Sequence, residues 1–203
     1  MNIQKKIKRA EEFLRSGQLD QAKQHLEEIL KKIPQQFQAH GLLGLIYISK
    51  KDYVKAENHL NFSLTANFNE VAAKNLTILL IQQRRWKEAY PFSQKLMLNK
   101  TSDLNLILNH ALVLRNIGQI DEALEIYNNL LKKYPNNINI YITYGFTLNF
   151  AERFVDAIEI YLKGMEIKQD DYALTYNLGI TYLNLFDYPN ALKYLKSALE
   201  LNN

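Results

Sequence analysis

"GQIDEALEIYNNLLKKYPNN", residues 118–137, reads as a turn, one amphipathic helix and a proline stop. Gly118 opens it, Ala123, Tyr127 and Leu130 form an apolar stripe at helical spacing, and Pro135 closes it. A near copy, "GQLDQAKQHLEEILKKIPQQ", stands at residues 17–36. A chain that repeats a helix together with its punctuation reads as an array of like elements, not as one globule around one core.

Alignment on the alanines extends the pattern to the whole chain. Ala22, Ala56, Ala89, Ala123, Ala157 and Ala191 are 34, 33, 34, 34 and 34 residues apart. Twelve residues before each stands a small residue: Ala10, Gly44, Thr77, Ala111, Gly145 and Gly179. Three residues beyond each small one comes Phe13, Tyr47, Leu80, Leu114, Leu148 or Tyr182, and four beyond each alanine comes Leu26, Leu60, Ser93, Tyr127, Tyr161 or Leu195. The spacing predicts a single array over residues 1–203, with six repeats at 3–36, 37–69, 70–103, 104–137, 138–171 and 172–203. Each repeat holds two apolar stripes split by a short polar turn. Two antiparallel helices pack closely where small side chains meet, and one such hairpin cannot bury its apolar faces alone, so hairpins stack.

This helix–turn–helix spacing resembles the tetratricopeptide repeat. The stretch "YNLGITYLNLFDYPNALKYLKSALELN" at 176–202 carries that pattern nearly whole, in Leu178, Gly179, Tyr182, Ala191, Leu195 and Ala198, and the resemblance extends over essentially all 203 residues. It implies an all-α, right-handed superhelical solenoid whose first helices line a concave groove. Some slots depart from the family pattern. The family's tryptophan slot holds Lys6, His40, Ala73, Ile107, Tyr141 and Thr175, and the closing proline survives only as Pro34 and Pro135. The third repeat matches least, with Thr77 and Ser93 in core slots, and Pro91 inside its second helix removes one helical hydrogen bond. Pro189 falls in the first turn of a helix, where proline is tolerated.

Composition excludes several function classes. The chain has no cysteine, which removes disulfides, thiolate metal sites and cysteine nucleophiles and fits a reducing, cytoplasmic setting. With only 7 Gly and 4 Pro, long linkers are not expected. The net charge is +4, but the basic pairs Lys31/Lys32, Lys50/Lys51, Arg84/Arg85 and Lys132/Lys133 are distributed one per segment, mostly at helix ends, where cations complement the helix dipole. A nucleic-acid partner is therefore not expected. The N-terminal "MNIQKKIKRAEEFL" has no signal-like apolar run and no segment reaches bilayer-spanning length, so no membrane association is expected. His25, His40, His59 and His110 are never three or four residues apart, and no metal, phosphate-loop or nucleophile-elbow motif occurs. The expectation is a protein without catalytic residues, metal or cofactor.

The informative residues lie on the first helices. Two positions before each small slot stand Lys8, Leu42, Asn75, Asn109, Thr143 and Asn177. Asparagine is a mediocre helix former, and its recurrence at this slot has two readings. Its amide offers a donor and an acceptor that suit an extended peptide backbone, as in the asparagine ladder of some members of the resembled family. Alternatively, exposed positions of an Asn-rich chain have drifted to Asn. Helical spacing adds Lys74, Leu112, Arg115, Asn116, Phe146, Asn149, Tyr176, Ile180 and Asn184 to the same groove. The carboxylate clamp of chaperone-binding members is not reproduced: Lys74 and Asn109 match it, but Ile78, Asn139 and Thr143 stand where Asn, Lys and Arg are needed.

The expected function is a non-catalytic scaffold holding a peptide or helical segment of a partner protein in the groove. Two alternatives stay open. One is an N-terminal arm that recruits substrate to a larger enzyme, such as a glycosyltransferase, sulfotransferase or oxygenase. The other is self-assembly through the C-terminal stripe of Leu192, Leu195 and Leu199.

Overall fold

The computed structural model describes residues 3–65, 69–99 and 102–202. Among them the chain forms twelve α-helices and no strand. These are α1 (Ile3–Arg15), α2 (Leu19–Lys32), α3 (Phe37–Ser49), α4 (Tyr53–Leu64), α5 (Glu70–Gln82) and α6 (Trp86–Leu98). They continue with α7 (Leu104–Asn116), α8 (Ile120–Lys133), α9 (Ile138–Phe150), α10 (Phe154–Ile167), α11 (Tyr172–Asn184) and α12 (Tyr188–Leu201).

The chain divides into two compact units, Met1–Asn109 and His110–Asn203. In the N-terminal unit α1 packs on α2, α3 on α4 and α5 on α6, while α2 against α3 and α4 against α5 join the hairpins. The first helices α1, α3 and α5 are neighbours in turn. Ile7, Ala10, Leu26, Leu43, Ile46 and Leu79 belong to its core. In the C-terminal unit α9 pairs with α10 and α11 with α12, α8 packs on α9, and α10 packs on α11. Its core gathers Leu124, Leu148, Tyr161, Leu174 and Leu178, with α9 and α11 side by side.

The six aligned alanines are fully buried, as the pattern predicts. The small slot on the first helix, however, faces the large residue one turn beyond the alanine. A Cβ at Gly44 would lie 2.6 Å from Leu60, at Gly145 2.4 Å from the Tyr161 ring, and at Gly179 2.8 Å from Leu195. Glycine here makes room for a side chain from the partner helix. The third repeat keeps the geometry with polar residues. Thr77 donates to the Ala73 carbonyl at 2.8 Å and Ser93 to the Tyr90 carbonyl at 2.9 Å, so both buried hydroxyls are satisfied within their own helices.

Every turn within a repeat has one construction. The residue after each first helix's C-cap is left-handed: Gly17, Lys51, Arg84, Gly118, Glu152 and Phe186. Its amide bonds back three residues, and the next amide bonds back five, as in Lys51 N to Ile48 O and Asp52 N to Tyr47 O. This is the Schellman pattern. The residue donating the second bond then serves as N-cap of the following helix, and Asp52 and Asp187 also cap with their side chains.

Between repeats, the two surviving prolines have matching partners. His40 Nε2 lies 2.9 Å from the Pro34 carbonyl, and the Tyr141 hydroxyl donates to the Pro135 carbonyl at 2.7 Å. Both rings occupy the slot where the family pattern has tryptophan. Helix α6 runs through Pro91, which is exposed, and Pro189 stands in the first turn of α12.

Candidate functional site

In the C-terminal unit, α9 and α11 present a face with unusual chemistry. Neither helix contains a Lys, Arg, Asp or Glu, and α7 contributes only Arg115. Phe146 and Phe150, one turn apart on α9, are 47% and 53% exposed, and Tyr172 and Tyr176 on α11 are 43% and 41% exposed. The two tyrosine rings stack with centroids 5.8 Å apart. Exposed aromatic rings on an uncharged helical surface are what a protein interface core requires.

Arg115 sits beside this face. Its guanidinium carbon lies 4.7 Å from the centroid of Phe146 and 5.6 Å from that of Phe150, both within cation–π range. The residue is partly buried, and its Nε is sealed from solvent without a hydrogen-bond partner. Burial holds its pKa below the ordinary value, opposed by the hydroxyls of Tyr127 and Tyr161. No ion pair involves Arg115 among the described residues. The other cation expected in the groove, Lys74 in the N-terminal unit, is engaged with Asp103 at 2.6 Å.

The amides expected to form one column divide into bound and unbound groups. Asn75 donates to the Val71 carbonyl at 2.6 Å, Asn116 to the Leu112 carbonyl at 2.7 Å, and the Thr143 hydroxyl to the Asn139 carbonyl at 2.8 Å. Each of these closes on its own helix. Asn149 is tied into the packing: its Nδ2 donates to Thr181 Oγ1 at 2.8 Å and lies 3.4 Å from the Tyr161 hydroxyl, while its Oδ1 is buried without a partner. Spacing grouped it with the groove, but its amide serves the α9–α10–α11 contact. Asn109 and Asn177 are partly buried, and their amides make no hydrogen bond among the described residues. Asn184 is exposed, and Leu112 and Ile180 are partly buried.

The C-terminal stripe also divides. Leu192 and Leu199 are exposed, whereas Leu195 fills the space left by Gly179 inside the α11–α12 hairpin. Helical spacing alone aligned all three, but Leu195 occupies the slot that the preceding helix leaves open.

Two groupings escaped the sequence reading. Phe150 and Tyr172 were legible as i, i+4 partners of Phe146 and Tyr176 once the lack of charge in α9 and α11 is noticed. His40 and His59, nineteen residues apart, meet across α3 and α4 with Nδ1 atoms 2.8 Å apart, and no spacing rule within one helix finds such a pair. No group of three His, Cys, Asp or Glu side chains is placed to hold a metal among the described residues, and no helix there is long and apolar enough to cross a membrane.

Family models described as tetratricopeptide repeat match residues 13–77, 106–137 and 173–203. The chain belongs to the tetratricopeptide repeat family. Tetratricopeptide repeat proteins generally act as protein-interaction scaffolds. This tetratricopeptide repeat chain is 34% identical over 101 residues to the human Protein O-mannosyl-transferase TMTC3, covering 49% of this chain and 11% of that protein. It is 22% identical over 202 residues to the TPR repeat-containing protein MJ1428 of Methanocaldococcus jannaschii, covering 91% of this chain and 36% of that protein. The chain thus spans well under two thirds of either relative. Among solved structures it is similar to YrrB, described as a TPR protein with an unusual peptide-binding site, with a TM-score of 0.78 and 21% identity over 83% of this chain and 88% of that one. It is also similar to PilF of Pseudomonas aeruginosa, with a TM-score of 0.64 and 18% identity over 95% of this chain and 88% of that one. These likenesses show the all-α helical-repeat fold.

Proposed function

We propose that the chain is a non-catalytic scaffold that binds an extended peptide or helical segment of a partner protein on the first-helix face of its C-terminal unit. The observation that carries this reading is the row Phe146, Phe150, Tyr172 and Tyr176, exposed on two neighbouring helices without a charged residue. The unbonded amide of Asn177 lies on the same helix as Tyr176 and supplies a donor and an acceptor for a peptide main chain. The peptide-binding site in the description of YrrB lends the reading further support.

The test is selection of short random peptides displayed on phage, using the intact chain as target. Peptides that bind are expected to lose at least about tenfold in affinity to a Tyr176→Ala, Asn177→Ala double variant. The melting temperature should move little, because Tyr176 is 41% exposed and the Asn177 amide holds nothing in the fold. Equal loss of binding and stability would assign both residues to the fold. A second reading, an arm that delivers substrate to a larger enzyme, is favoured by the 34% match to a transferase of which this chain covers 11%. Glycosyltransferase activity in a longer native protein that falls when this region is deleted would support it.

A further inference from the structure

We propose that Arg115 reads an acidic side chain, Asp or Glu, within the partner peptide. The inference rests on the reading of the α9–α11 face as a peptide site and names the chemistry that the site selects.

Three observations carry it. First, Arg115 is the only Lys, Arg, Asp or Glu in α7, α9 and α11, so the face has one charge and that charge is positive. Second, the guanidinium has no carboxylate partner among the described residues although it is partly buried, with its Nε sealed and unbonded. Taking a cation out of water without a counter-charge is costly, and a carboxylate brought by a ligand removes that cost. Third, the guanidinium lies over the Phe146 and Phe150 rings, 4.7 and 5.6 Å from their centroids. Two aromatic rings fix the plane of the guanidinium fork, and a fixed fork favours bidentate capture of a carboxylate.

A side-chain carboxylate fits better than a chain terminus. Arg115 is partly buried, and a side-chain carboxylate stands off from the main chain on a flexible stem, whereas a terminal carboxylate is attached to the main chain itself. Of the amide donors nearby, Asn116 spends one of its two N–H groups on the Leu112 carbonyl, and Asn149 directs its amide nitrogen to Thr181 and the Tyr161 hydroxyl, so Asn149 is not available to hold the second oxygen of a terminus.

The experiment uses peptides selected from the random library that bind the intact chain and depend on Tyr176 and Asn177. The expected result is one acidic residue at a constant position. Its replacement by Gln or Asn should weaken binding to the wild-type chain about tenfold, the scale of a charge-assisted hydrogen bond, and weaken binding to Arg115→Gln less than about twofold. Added salt should weaken the wild-type complex and leave the Arg115→Gln complex nearly unchanged. Arg115→Lys, with its melting curve compared to wild type, guards against misfolding: it should retain salt dependence and part of the preference for acid. Peptides that depend on Tyr176 but need no acidic residue would overturn this inference and leave the peptide site standing. Loss of binding on amidation of the peptide C-terminus alone would assign the carboxylate to a chain end and overturn it too. If no selected peptide depends on Tyr176 and Asn177, the peptide site itself falls, and this inference with it.

Discussion

Gly145 shows how much one atom decides. Its position faces the ring of Tyr161, which is fully buried, and an added Cβ would stand 2.4 Å from that ring. Gly145→Ala must push the ring away or part α9 from α10. The expected cost is about 1–3 kcal/mol, as for other overpacked cores, read as a lower urea midpoint with an unchanged slope. A variant as stable as wild type would show that the hairpin relaxes freely at this slot. The smallness of the slot was legible in the sequence, because Gly44, Gly145 and Gly179 recur in register. Which residue fills the space was not legible, because that depends on how far each second helix slides along the first. The same uncertainty placed Leu195 on an open stripe, when it fills the notch at Gly179.

Among the elements, the turns divide into two kinds with different physics. Turns within repeats all close through the same pair of backbone hydrogen bonds, so a left-handed residue suffices and Gly, Lys, Arg, Glu and Phe all serve. That tolerance explains why glycine marks only two of the six and why spacing predicted the turns better than glycine did. Turns between repeats recruit a side chain where proline ends the repeat. The Tyr141 hydroxyl reaches the Pro135 carbonyl at 2.7 Å across six residues, fastening the start of α9 to the end of the preceding repeat. Tyr141→Phe keeps the ring and deletes that donor. It is expected to lower stability by about 0.5–1.5 kcal/mol, measured by denaturant unfolding, with helix content unchanged by circular dichroism. No measurable loss would mean that solvent replaces the bond at no cost.

For the molecule as a whole, two histidines contribute to the acid side of the stability curve. Burial lowers the pKa of His110 to about 4, and burial with the neighbouring His40 lowers that of His59. Both titrate near 6.5 when unfolded, so between that value and the folded value the unfolded chain binds more protons. The stability these two histidines contribute is therefore complete above about pH 6.5 and declines as the pH falls toward 4. The carboxyls of Asp20, Asp52 and Glu88, held low by hydrogen bonds from Lys50, Lys55 and Arg85, lose their contribution only in stronger acid. Urea midpoints taken at several pH values should trace this decline, and His110→Leu should flatten it. An equally steep decline in that variant would place the sensitivity elsewhere. At this scale the sequence by itself determined the helices, their pairing and the buried alanines, because helical periodicity is a local property written within each thirty-odd residues. The tertiary structure alone decided that Asn149 is bonded to Thr181, that His40 meets His59, and that Arg115 lies against two phenyl rings without a carboxylate. Each of those outcomes depends on which side chain a neighbouring helix places opposite, and residues from different helices carry no shared period from which that could be read.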